Sequence, residues 1–248
     1  MIGSAIIIAF DWRYIFIVTT ILAVVSLIGL ARNMPNNKPV DHVAMNIKEI
    51  ISTYIKIIRT RTLIQGGLII AIVSLPMISW IGLAPILVMQ IMGKSYSEYV
   101  IYQSLVFGGF IVSSISIQFL AGRFSFHALI TRGTILAFAG LVISFVGCQS
   151  NYSFIGGMFL ASLGIGIFNG SIFRIAITST GLSNSMSAAM LNIIQSTVLA
   201  AGLEILNSLS NIFHYTIFSF TALNMLAGVI MLVLCFNYAH HVKGRQWQ

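Results

Sequence analysis

Thirteen basic and five acidic side chains, nearly all gathered between long apolar runs, are too few to give 248 residues a water-facing surface. The arrangement points to a bilayer. A hydrocarbon core roughly 30 Å thick asks for about 20 mostly apolar residues per helical span. Seven segments meet that length: 14–31, 63–89, 99–121, 129–148, 153–178, 186–205 and 215–236. An eighth apolar stretch, 2–10, is too short to cross, lacks a basic flank and a small-residue cleavage site, and so does not read as a signal peptide. It reads as the outer end of a span whose inner end is missing, which makes the chain a truncated, C-terminal piece of a larger membrane protein.

A formal charge of +8 can mean nucleic acid, but here the bases form no single face and no nucleic-acid partner is expected. They sit instead in alternate loops. Arg32, Lys38, Lys48, Lys56, Arg59 and Arg61 lie between the first two spans, Arg123 and Arg132 around a later turn, and Lys243 and Arg245 in the tail. Only Arg13 and Lys94 fall in the opposite set, so the positive-inside rule places the 32–62 linker and the C-terminus in the cytoplasm. Cys148 and Cys235 fall at or inside span ends on opposite sides of the bilayer, a placement that argues against a disulfide between them.

Within the linker, the Asn-Met-Pro-Asn-Asn-Lys-Pro run from Asn33 to Pro39 carries turn chemistry, and an amphipathic pattern follows. Ile47, Ile50, Ile51, Tyr54 and Ile58 fall on one helical face, and Lys48, Ser52, Lys56 and Arg59 on the other. That pattern predicts a helix at the cytoplasmic interface joining two bundles.

Enzyme chemistry finds no support in the residues. Asp11 and Asp41 are too far apart to hold a magnesium diphosphate, and His42, His127, His214, His240 and His241 lie in loops, span ends or the tail, away from metal-ligand spacing. No metal, cofactor or catalytic residue is expected. A heptahelical receptor would share the seven spans, but the last span has no lysine for a Schiff base. That class, or a structural membrane protein, remains the alternative.

The order of one span, a basic linker and six closely spaced spans resembles the second half of a major facilitator superfamily transporter of the multidrug:proton antiporter type. Local sequence strengthens the resemblance: Asp11-Trp12-Arg13-Tyr14-Ile15-Phe16 before the first full span, the Ser74 to Pro85 segment with its paired prolines, Gly164-Ile165-Gly166-Ile167-Phe168-Asn169, Arg174, and Gly202-Leu203-Glu204-Ile205. The resemblance implies an all-α membrane protein, the C-terminal half of a twelve-span fold. Residues 1–31 would be the end of span 5 and span 6, 32–62 the linker, 63–237 a six-helix bundle and 238–248 a cytoplasmic tail. It also implies drug:proton antiport by alternating access in a bacterial inner membrane. Small lipophilic or cationic drugs and protons would be the cargo, an N-terminal half the missing partner, and the chain alone would be inactive. The first, second, fourth and fifth helices of the bundle would face the substrate.

Physical reasoning then selects the residues. Pro76 and Pro85 each remove an amide donor from one span, giving either a gating bend with Trp80 as a flat apolar wall, or a kink that serves packing. Gln195 lies about 13 Å along its span from Met186, near the midplane, with Asn192 one turn nearer the cytoplasm. Together with Gln103 and Asn224 these amides would either bind substrate or hold helices together. Arg174, roughly 31 Å along from Ser153, would reach the cytoplasmic interface as an anchor or a coupling group. Glu204, the one acid inside a complete span, lies about 27 Å past Met186, near the outer surface, and is the candidate for proton handling. The small residues of 156–170, including a Gly166/Gly170 GxxxG pair, predict close helix packing.

Overall fold

The computed structural model describes residue 11 and residues 13–33 and 47–243, with side chains at 11, 13–33 and 48–238. The expected span-5 remnant, most of the linker turn and the end of the tail lie outside the described residues. Two compact units divide at 50/51. In the first, helix α1 (Arg13–Asn33) is apolar on every face and buries no residue. Three of its polar side chains bond to carbonyls of the helix itself. Thr19 and Thr20 donate to the carbonyls of Ile15 and Phe16, each at 2.7 Å, and Asn33 donates to Gly29 O at 2.9 Å. Such internal satisfaction is what a lipid environment requires, since no water is there to pair with them.

Helix α2 (Ile47–Ile58) crosses the division between the units. Its last turn belongs to the second unit's core: Ile57 is fully buried in a cluster with Leu63, Ile69, Ile172 and Tyr238, whereas Ile51, Ile55 and Ile58 stay exposed. Helix α2 is therefore fastened to the bundle through Ile57, a side chain outside the apolar face that its spacing suggests.

Six longer helices follow: α3 (Arg61–Pro85, continued by a π-helical Ile86–Ile91), α4 (Tyr96–Leu120), α5 (Phe126–Val146), α6 (Asn151–Thr178), α7 (Asn184–Ile212) and α8 (Ile217–Lys243). With α1, seven helices among the described residues are long and apolar enough to cross a membrane. The π-turns start where Pro85 supplies no amide, and the wider i to i−5 bond Met92 N–H to Leu87 O, 2.9 Å, replaces the α pattern. Gly93, at φ +63°, then ends the helix in the left-handed region that L side chains avoid. Ser95 and Glu98 form a reciprocal capping box at the start of α4. The Glu98 carboxylate, 3.1 Å from Lys94 Nζ, holds that ammonium above its ordinary pKa.

Helix α6 is the centre of the bundle and packs against α3, α4, α5 and α7. Its tightest seam is with α5. A Cβ on Gly133 would meet the backbone at Phe168 and Gly164, and one on Gly164 would meet Ala137 and Gly133. Gly140 and Gly157 oppose each other in the same way two turns along. Glycine at every seventh position of two antiparallel helices thus brings backbone against backbone, where dispersion replaces the hydrophobic drive that lipid does not supply. Buried hydroxyls add polar clasps: Ser162 Oγ on α6 lies 2.6 Å from Val106 O on α4.

The observed limits differ from the apolar runs at two candidate residues. Helix α7 continues to Ile212, so Glu204 lies two turns inside a helix end instead of at it. Helix α8 runs through residue 238 to Lys243, so the first part of the tail continues the last span.

Candidate functional site

Four helices converge on one groove in the 51–248 unit. On α6, Gly166, Asn169, Gly170 and Phe173 follow at intervals of three and four and form one stripe. On α4, Phe110, Ser114 and Ile117 do the same, while Ile70 of α3 and Gln195 of α7 close the sides. The space between them is about 420 Å³, within the range of sites that hold drug-sized molecules. It is lined by four helices, α3, α4, α6 and α7, which are the first, second, fourth and fifth of the bundle.

The chemistry of this lining is neutral: aliphatic and aromatic surface, one hydroxyl and two amides, with no charged side chain. Asn169 donates from Nδ2 to Ser74 Oγ on α3 at 3.1 Å, which fixes the amide plane. Its Oδ1 is buried without a hydrogen-bond partner. Leaving a buried carbonyl oxygen unpaired costs about 1–3 kcal/mol, and such groups in a cavity wall are where an incoming N–H or O–H has most to gain. Gly170 keeps the wall low, since a Cβ there would have only Ile117 in ordinary contact at 3.4 Å.

The residues singled out from sequence scatter around this groove. Gln195 is part of its lining, and Asn192, one turn away on α7, is exposed. Trp80 is fully buried elsewhere, edge-on to Phe154 and Phe220 with ring centroids 5.7 and 6.3 Å away. Asn224 is also buried: Ser79 Oγ on α3 lies 2.8 Å from its Oδ1, while its Nδ2 donates to Phe220 O, so this amide ties α8 to α3. Pro76 is buried at the same clasp, with its carbonyl 2.9 Å from Ser79 Oγ, and Pro85 marks the π-turn. Gln103 is half-buried on α4 with an unpartnered Oε1. Arg174 is exposed near the end of α6, its guanidinium 5.2 Å from the centre of the Phe126 ring, and Glu204 is exposed on α7. Of the GxxxG pair, Gly166 lies against Ser113 of α4 and Gly170 opens the groove.

Asn169, Ser114, Phe110 and Phe173 are the residues that sequence reasoning did not select. Their spacing on α4 and α6 was a usable signal, but aromatic and small residues at helical intervals look the same on a packed face as on a groove.

No family model matches the chain. Sequence comparison does find relatives. A protein of Yersinia pestis bv. Antiqua (strain Angola), the multidrug transporter MdfA, is 25% identical over 207 residues, 82% of this chain and 51% of the relative. The multidrug transporter MdfA of Escherichia coli O157:H7 is 25% identical over 209 residues, 83% and 51% of the two chains, and that of Edwardsiella piscicida 25% over 207 residues, 82% and 50%. The chain is similar to the MdfA multidrug transporters. It spans about half the length of these MdfA proteins. That similarity, joined to an all-helical architecture with seven membrane-length helices, agrees with the C-terminal part of a major facilitator fold in a multi-pass bacterial membrane protein.

Proposed function

We propose that this chain forms the C-terminal bundle of a secondary-active multidrug efflux transporter that exchanges drug for protons by alternating access. The observation that carries the reading is the neutral groove lined by α3, α4, α6 and α7. It offers half of a binding chamber: aromatic faces from Phe110 and Phe173, amides from Asn169 and Gln195, and one hydroxyl from Ser114. An N-terminal bundle would supply the opposing wall, because substrate in such transporters is held at the midplane between two repeats. Small lipophilic or cationic drugs suit a lining that is mostly apolar and carries acceptor oxygens but no positive charge.

Within this reading, Pro76 and the Ser79–Asn224 clasp form the hinge of α3, with Trp80 as its packed pivot and Pro85 relaxing the outer turn. Gln195 and Asn169 meet the substrate, with Asn192 and Gln103 flanking the path. Arg174 anchors the cytoplasmic end of α6, and Glu204 is the group on this chain that could exchange protons. Expression of the chain alone in efflux-deficient bacteria tests the scheme: it is expected to insert in the inner membrane, because its backbone groups are internally satisfied, yet to extrude no fluorescent lipophilic cation. Proton-dependent extrusion by this chain alone, abolished by Glu204→Gln, would show that no opposing bundle is needed.

The proposed orientation puts the linker and tail in the cytoplasm. In a background carrying Cys148→Ser and Cys235→Ser, a cysteine at Gln149 is expected to react with a membrane-impermeant maleimide in intact cells, and one at Asn37 only after permeabilisation. The reverse pattern would invert the topology.

A further inference from the structure

We propose a second ligand site on this chain: a crevice between α3 and α8 that holds an anionic phospholipid, apart from the drug groove. The crevice encloses about 590 Å³ and is lined by Gln65, Leu68, Ile69, Ile72, Leu234, Asn237 and Tyr238. Its lining is sorted by polarity along its length. Because α3 and α8 run antiparallel, Gln65 lies level with Asn237 and Tyr238 at one end. Leu68, Ile69 and Ile72 carry the wall toward the bilayer interior, with Leu234 opposite. One end therefore offers amides to a headgroup and the rest an apolar track for an acyl chain.

Charge selects the headgroup. Positions 61, 65, 68, 69 and 72 are spaced by four, three, one and three, so Arg61 falls on the crevice stripe of α3 one turn before Gln65. Arg61 is exposed, as are Arg59 and Lys56 just before it on the chain, and none of the three has an acidic partner within 4.0 Å among the described residues. Ile57 is fully buried in the bundle core, which keeps this basic turn close to the start of α3. Three unpaired bases beside an amphipathic crevice fit a phosphodiester whose tails lie in the membrane, and basic pockets between membrane helices are suited to anionic headgroups. A carboxylate drug would also meet the charge, but the apolar track of Leu68, Ile69, Ile72 and Leu234 beyond the polar end suits an acyl chain.

The test uses the full chain purified in detergent, with bound lipid counted by native mass spectrometry. Dioleoylphosphatidylglycerol is expected to be retained over dioleoylphosphatidylcholine by at least fivefold, the size of one basic side chain's contribution. Arg61→Gln should remove most of the preference, Arg61→Lys should keep it, and Leu68→Trp, a change at an exposed residue, should reduce retention of both lipids. Inorganic phosphate at millimolar concentration should not displace the bound lipid. Equal retention of the two lipids by the unaltered chain, a preference unchanged by Arg61→Gln, or binding unaffected by Leu68→Trp would each overturn the proposal. Displacement by phosphate would show a surface anion site in its place.

Discussion

Alanine in place of Gly140 is expected to destabilise the bundle by about 1–3 kcal/mol, the usual range for forcing a methyl group into a filled interior. A Cβ at this position would meet the backbone of Ala161 and Gly157 on α6, and backbone cannot swing aside as the end of a side chain can. The helices must separate, and the reciprocal contacts of Gly133, Gly157 and Gly164 loosen with them. Gly140→Leu is expected to prevent the native bundle from forming. Gly156→Ala is the control, because a Cβ there meets nothing within 4 Å. In a Cys148→Ser background, thermal unfolding can be followed by the reaction of a thiol-specific dye with Cys235, which is 2% exposed and becomes accessible when α8 separates. Equal midpoints for Gly140→Ala and Gly156→Ala would remove the glycine seam from the account of stability.

Filling the groove is expected to abolish drug binding without unfolding the chain. Gly170→Trp places an indole in the space of about 420 Å³ beside Asn169, Phe173 and Gln195, and the new Cβ is tolerated because its neighbour is the side chain of Ile117. Binding of a fluorescent lipophilic cation to the purified chain should fall at least tenfold, or about 1.4 kcal/mol, while the thermal midpoint stays within the range of surface substitutions. Asn169→Leu should weaken the same ligand by a smaller factor, roughly that of one hydrogen bond. Undiminished binding by Gly170→Trp would move the drug site away from this groove.

The two predictions rest on features of unequal visibility in the sequence. Span number and approximate limits were legible because a bilayer admits few alternatives: about 20 apolar residues that must close their own hydrogen bonds form a helix. The helix at 47–58 was legible from Ile47, Ile50, Ile51, Tyr54 and Ile58 at helical spacing, opposite Lys48, Ser52 and Lys56. Resemblance to a half-transporter was legible from short words such as Gly164 to Asn169, and sequence similarity to the MdfA transporters over 82% of the chain agrees with it.

Which face of each helix meets which neighbour was decided by the tertiary structure. The small residues of 156–170 marked a packing face, and Gly157 and Gly164 of that stretch do form the backbone seam, but their partners Gly133 and Gly140, at the same seven-residue spacing on α5, carried no such mark. In an all-apolar helix no hydrophobic stripe marks the inner face, so periodicity loses the information that it carries in a soluble helix. The same limit applies to the amides. Gln195 and Asn224 look alike as polar residues within apolar runs, yet one lines a groove and the other is bonded to Ser79 and Phe220. Apolar composition and length fix that a span forms and that its polar atoms need partners. The choice of partner depends on close contacts between distant segments, and those exist only once the bundle has assembled.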